Sequence, residues 1–106
     1  SQYKNPNMLE QKDLIQFLSS HKQQWFAEFR LTKLGLLGSF ARNEATEQSD
    51  IDIIVDFLPN TPHLTDKKAA IKEIISQTFH RKVDICREKY LKPYYKDHIL
   101  KTVIYV

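Results

Sequence analysis

Two glycines, four prolines, one cysteine, one methionine and one tryptophan occur in 106 residues. Each shortage excludes something. The lone cysteine, Cys86, rules out an internal disulfide and a cysteine-rich zinc site, and it suits a reducing cytoplasm. No apolar run approaches the roughly 18–20 residues of a membrane span, so no membrane association is expected. The polar opening SQYKNPNMLEQ lacks the apolar stretch of a secretory signal, and Ser1 in place of an initiator Met reads as processing or a cloning remnant. With 42% hydrophobic and 27% charged residues, the composition is that of a globular protein, not of a disordered, collagen-like or rod-like chain. No internal repeat or linker breaks it. The expectation is a polar segment over residues 1–8 followed by a single domain over residues 9–106, near the ordinary domain length of roughly 100–150 residues.

Charge is present but unevenly placed. The net value of +3 is thin support for a nucleic-acid partner. Residues 40–66 hold one basic side chain, Arg42, against Glu44, Glu47, Asp50, Asp52, Asp56 and Asp66. Residues 80–101 reverse this, with seven Lys or Arg against Asp84, Glu88 and Asp97. An acidic cluster beside a basic tail suits a metal–polyphosphate site, although ordinary scatter over a solvated surface produces similar imbalances.

The periodicities alternate between helix and strand. Leu14, Ile15, Leu18, Trp25, Phe26 and Phe29 form a helical stripe over residues 9–29, which Ser19-Ser20 would divide, with Ser20 as an N-cap. Leu34-Gly35-Leu36-Leu37-Gly38 reads as a buried strand ending in a tight turn, and residues 40–44 as a short helix. Residues 50–57 alternate: Ile51, Ile53, Val55 and Phe57 on one side, Asp50, Asp52, Ile54 and Asp56 on the other. After the loop at residues 58–62, Thr61-Pro62 or Thr65 would open a helix burying Leu64, Ile71, Ile74, Ile75 and Phe79. A strand over residues 81–86, a helix over 94–101 and a strand over 103–106 complete an α/β order with helices packed on a small sheet.

Two local features carry chemistry. Gly38-Ser39 lies at a strand-to-helix turn, where a missing Cβ, free backbone N–H groups and a hydroxyl suit phosphate; Arg42 is near enough to join. Asp50 and Asp52 are two residues apart on a strand and project from one face, to which a neighbouring strand would bring Asp84. Three converging carboxylates repel unless a cation lies among them, and hard oxygen ligands of this kind suit Mg²⁺. A half-exposed strand with a polar outer face is the plainer alternative, weakened by the rarity of Asp in strands. Asp84 taken alone reads as well as a surface carboxylate.

The combination is more specific than its parts. Gly38-Ser39, ten intervening residues and Asp50-Ile51-Asp52 resemble the GS-x10-DxD motif of the DNA polymerase β-like nucleotidyltransferase superfamily. Within it, GSFARNEATEQSDIDIIVDF resembles the small minimal nucleotidyltransferases, and Arg81-Lys82-Val83-Asp84-Ile85 stands where that family carries its third carboxylate strand. Leu91-Lys92-Pro93 and residues 99–106 resemble the family's C-terminal helix and strand, so the likeness spans residues 30–106. Asn43 departs from the pattern, standing where many relatives have Gly, but Asn tolerates the left-handed backbone a turn needs.

The resemblance implies a polymerase β-like nucleotidyltransferase fold and a set of roles. Gly38 and Ser39 would hold the β- and γ-phosphates of a nucleoside triphosphate, ATP in the first instance, with Arg42 steadying them. Asp50 and Asp52 would bind two Mg²⁺ ions. Asp84 would help hold the catalytic metal and direct the proton of the attacking hydroxyl. Members of this family commonly neutralise a HEPN RNase toxin by transferring AMP to one of its tyrosines, which implies a protein partner. Two other readings stay open: an antitoxin that acts by binding alone, and a transferase acting on a small molecule or an RNA end.

The remaining residues speak less clearly. His21, His63, His80 and His98 form no close ligand pair and read as surface or boundary residues. Tyr90, Tyr94 and Tyr95 with Lys92 and Lys96 offer an RNA-stacking surface, or more simply the packing of the last helix or a protein interface. Trp25, Phe26 and Phe29 read as core or a partner surface, and nothing beside Cys86 marks it as reactive.

Overall fold

The computed structural model describes residues 8–91 and 98–106. Helix α1 (Gln11–Glu28) is one unbroken rod. The Glu10 N–H donates to Asp13 Oδ2 at 2.9 Å and closes its first turn. Ser19-Ser20 does not divide it, contrary to the sequence expectation. Ser20 is no N-cap; its hydroxyl turns back on the Phe17 carbonyl at 2.7 Å. The helix continues because Leu14, Leu18 and Trp25, all buried, keep one stripe facing the core across the serines.

Strand β1 (Leu31–Leu37) begins three residues earlier than its apolar run suggests, with a bulge between Leu31 and Lys33. It runs into α2 (Gly38–Ala41), a single helical turn that starts at the glycine rather than at Phe40 and leaves Arg42 as its C-cap. Strand β2 (Ile51–Phe57) follows, then α3 (Leu64–Phe79) and β3 (Val83–Arg87). Neither Thr61 nor Thr65 caps α3. His63 does, in the left-handed conformation, a position that propensity alone does not favour. A short 3-10 turn (Glu88–Tyr90) leads on, and β4 (Ile104–Tyr105) closes the order. Residues 98–100 are helical, while the expected helix from Tyr94, with Tyr95, Lys92 and Lys96, lies otherwise outside the described residues.

The four strands form one mixed sheet in the order β3-β2-β1-β4. Strand β1 pairs antiparallel with β2 and with β4, and β2 pairs parallel with β3 across the α3 crossover. Leu34, Leu36, Ile51, Ile53, Val55 and Val83 meet α1 and α3 in one core. Phe17 and Phe79 join the two helices edge to face at 5.1 Å. Both long helices therefore cover the same face of the sheet. The other face carries Asp52, Ile54 and Asp56 of β2, with Ile54 fully buried although its neighbours are polar.

On that second face Gly35 lets β4 close against β1. A Cβ there would stand 2.9 Å from the Ile104 carbonyl oxygen, 3.0 Å from Tyr105 Cδ1 and 3.1 Å from Ile54 Cγ2. Gly35→Ala should cost about 1–3 kcal/mol in urea unfolding. Amide exchange should rise chiefly where β4 pairs with β1, leaving the β1–β2 pairing protected.

Candidate active site

The Gly-Ser turn and the acidic strands meet because of register. Across the β1–β2 pair Leu37 stands opposite Asp52, and across the β2–β3 pair Asp52 stands opposite Asp84. One residue beyond Leu37, Gly38 adopts a φ of +75°, and a Cβ built on it would fall inside the van der Waals contact of Asp52 Oδ2. Glycine is therefore required twice over, by its backbone angle and by its closeness to a carboxylate. Asp50 lies just before β2, two residues from Asp52 and on the same side of the chain.

The electrostatics show the same convergence. Asp52 is held above the ordinary carboxylate range by burial first, then by Asp84 and Asp50; Arg42 and Lys82 pull the other way. These are the residues singled out in the sequence, with Lys82 added. The Lys82 ammonium lies 3.8 Å from Asp50 Oδ2, and Arg42 Nε lies 3.1 Å from the exposed Glu44 carboxylate. Asp84 is exposed, on the edge strand β3.

Asp52 contrasts with Asp56, four residues along the same strand. Asp56 Oδ1 accepts from Arg87 Nε and Nη2 at 3.1 and 2.9 Å, and Oδ2 accepts from the Lys89 N–H at 2.9 Å. No comparable hydrogen bond or ion pair joins Asp52 to a described residue. One aspartate is satisfied within the fold, and the other faces like charges. Three carboxylates that act on one another electrostatically, one of them destabilised when ionised, offer the hard oxygen donors that Mg²⁺ takes. Among the described residues no three His, Cys, Asp or Glu side chains stand gathered as a finished metal cluster.

Other residues support the site. Gln11 Nε2 donates to the Phe40 and Ala41 carbonyls at 3.0 and 2.9 Å, satisfying the end of α2. The Glu44 N–H donates to the Ser39 carbonyl at 2.8 Å, and Asn43 takes the left-handed φ of 58° expected of it. Arg81 holds the loop before Asp50. Sequence reasoning missed Gln11, Arg81 and Lys82: their contacts join distant segments and leave no local pattern. Cys86 lies on the Asp52 face, where burial, then Asp52 and Asp56, push its thiol up and keep it neutral.

Comparison with known proteins agrees with this geometry. Residues 12–106 match the family model described as a nucleotidyltransferase domain. Over 99 residues the chain is 32% identical to the protein adenylyltransferase MntA of Thermococcus cleftensis, covering 93% of this chain and 98% of that one. A solved structure described as a minimal nucleotidyltransferase superposes with a TM-score of 0.73 at 25% identity, covering 91% of this chain and 95% of the other. A toxin–antitoxin crystal structure with AMP-PNP shares the fold, with a TM-score of 0.58 at 18% identity over 92% of this chain and 72% of the other. Among the described residues no helix is long and apolar enough to cross a membrane.

The raised pKa of Asp52 has a thermodynamic sign. A group whose folded pKa exceeds its unfolded value stabilises the fold fully below the unfolded value, near 3.8, and loses that contribution as pH rises through the folded one. Without metal, Asp52→Asn should therefore melt above the wild type at pH 7, and the gap should close as pH falls toward 4. A variant that melts below the wild type at pH 7 in EDTA contradicts the assignment of strain to this carboxylate.

Proposed function

The chain belongs to the nucleotidyltransferase domain family, and from that premise we propose that it transfers AMP from ATP, with Mg²⁺, to a tyrosine hydroxyl of a cognate HEPN RNase toxin and so neutralises it. The observation that carries the reading is the register that sets Asp52 between Gly38 and Asp84. Transfer to protein is supported by the adenylyltransferase relative, which the chain matches over nearly its whole length. A toxin as acceptor is supported by the likeness to the toxin–antitoxin structure and by the motif resemblance. The same reading places the protein in the cytoplasm, with the domain beginning near residue 9.

In this reading Gly38 and Ser39 take the β- and γ-phosphates, where a side chain at position 38 would collide with Asp52. Arg42 joins them: its surface pair with Glu44 is worth about 0–1 kcal/mol and yields readily to a triphosphate. Asp50, Asp52 and Asp84 hold two Mg²⁺ ions, which when bound offset charge on the attacking and leaving oxygens. The tyrosine oxygen bonds to the α-phosphorus, the bond from that phosphorus to pyrophosphate breaks, and Asp84 accepts the hydroxyl proton. Exposure of Asp84 on an edge strand lets an acceptor approach from solvent, while Asp52 beside it is half-buried.

The test uses ATP labelled at the α-phosphate, Mg²⁺ and the purified HEPN partner. Label should appear on one partner tyrosine. Asp50→Asn/Asp52→Asn should lower its rate by at least about 100-fold, since the metals supply several kcal/mol of charge stabilisation. Arg42→Ala should cost about tenfold. A double variant that still protects cells from the toxin without labelling it overturns the catalytic reading in favour of neutralisation by binding.

A further inference from the structure

Nucleotidyl transfer as proposed needs the Gly38-Ser39 turn, the Asp50-Ile51-Asp52 segment and Asp84 at fixed separations. Ten residues, 40–49, lie between the first two, and only the single turn of α2 among them is regular. One side chain touches a neighbour of each of the first two segments and lies close in sequence to the third. Arg81 precedes β3 by two positions and Asp84 by three. Its Nη1 donates to the Ser49 carbonyl at 2.7 Å and to the Thr46 carbonyl at 3.1 Å. Its guanidinium lies 5.5 Å from the centre of the Phe40 ring. Ser49 is bonded directly to Asp50, and Phe40 directly to Ser39.

The intervening turn is organised to meet it. The Thr46 N–H donates to Ser49 Oγ at 2.8 Å, the Ser49 N–H to the Thr46 carbonyl at 3.2 Å, and the Gln48 N–H to Thr46 Oγ1 at 3.3 Å. The donors of the turn are used internally, while the Thr46 and Ser49 carbonyls point to Arg81. On the far side the Ile51 N–H donates to the Lys82 carbonyl at 2.9 Å, continuing the tie between the two segments. A planar guanidinium can stack on a ring while donating in its own plane to two carbonyls, and a lysine ammonium cannot.

We propose that Arg81 is a positioning residue for nucleotidyl transfer, fixing the distance between the phosphate turn and the carboxylates by clamping residues 46–49 against Phe40 and the start of β3. The proposal rests on the functional reading above for what the site does, but not for how the clamp is built.

Three measurements on Arg81→Ala and Arg81→Lys test it. In the nucleotide-free protein, Arg81→Ala should raise amide exchange across residues 44–50 about tenfold or more, since hydrogen bonds from a charged donor are lost, with α3 and the centre of β2 unchanged. Calorimetric titration with Mg²⁺ and a non-hydrolysable ATP analogue should give weaker binding. The transfer assay should show kcat/KM down about 10–100-fold, with more Mg²⁺ needed for half-saturation. Arg81→Lys keeps the charge without the planar guanidinium and should recover only part of each loss. If Arg81→Ala loses protection throughout, the Lys variant carries the comparison.

Unchanged exchange over residues 44–50 overturns the clamp. Faster exchange with unaltered Mg²⁺ dependence and kcat/KM overturns the positioning role and leaves a merely structural contact. Full recovery by lysine overturns the argument from the guanidinium plane. A wild type that binds the analogue but labels no partner sinks only the transfer reading; one that does neither leaves Arg81 no site to position, and both fall.

Discussion

The contact between Asp52 and the missing side chain of Gly38 constrains much of what surrounds it. A carboxylate oxygen occupies the space a Cβ would need, and the glycine's positive φ turns the chain from β1 into α2 at that point. The missing Cβ is what lets turn and carboxylate approach this closely, before any ligand is considered. The register of β1 with β2 delivers Asp52 to the turn, and the parallel register of β2 with β3 delivers Asp84 to Asp52. A slip of one residue in either pairing would send a carboxylate into the helix-covered core and bring an isoleucine out to the other face. The buried row Ile51, Ile53 and Val55 therefore fixes the position of the charges as surely as it fills the core.

Much of this was legible because it is local. Period-two alternation marks β2 and its two faces, and the Gly-Ser dipeptide marks the turn. The spacing between them is a count along the chain. Parallel pairing with β3, which a crossover helix makes natural, brings the third carboxylate. Boundaries were less legible where side chains make choices that composition does not announce. Ser20 returns its hydroxyl to Phe17 instead of starting a helix, because the stripe through Leu18 and Trp25 still has a core to face. His63 sits in a left-handed conformation ahead of α3, although better capping residues lie on either side. Ile54 is fully buried on the face assigned to charges, since Gly35 and the Tyr105 ring close over it. Gln11 and Arg81 were invisible for a different reason: each satisfies carbonyls about 30 residues away, and such pairings leave no periodic trace.

The second face of the sheet is divided by that apolar middle row. At one end, Asp56 is bonded to Arg87 and the Lys89 amide. Beside it Glu88, nearly buried, takes the Lys33 ammonium at 2.8 Å and the Tyr105 hydroxyl. The hydroxyl's ionisation is pushed well up, by burial first and then by Glu88, so it remains a donor. Asp56, Arg87, Glu88 and Lys33 all have partners supplied by the chain, and these contacts hold the 3-10 turn and β4 in place. At the other end, Asp50, Asp52 and Asp84 are offset only by Lys82 and Arg42, both exposed.

This asymmetry sets a satisfied aspartate against a destabilised one on a single strand. A partly buried ion pair such as Asp56–Arg87 adds little net stability over an apolar substitute, but it fixes one arrangement. The carboxylates at the other end are less well matched. Burial of Asp52, then the charges of Asp84 and Asp50, disfavour its ionised form, a cost that a cation bound as proposed would lower. The paired end holds the 3-10 turn and β4, and under the proposed function the other end is where the cation would bind. Exchanging the two arrangements would then move that cation site away from the Gly38-Ser39 turn.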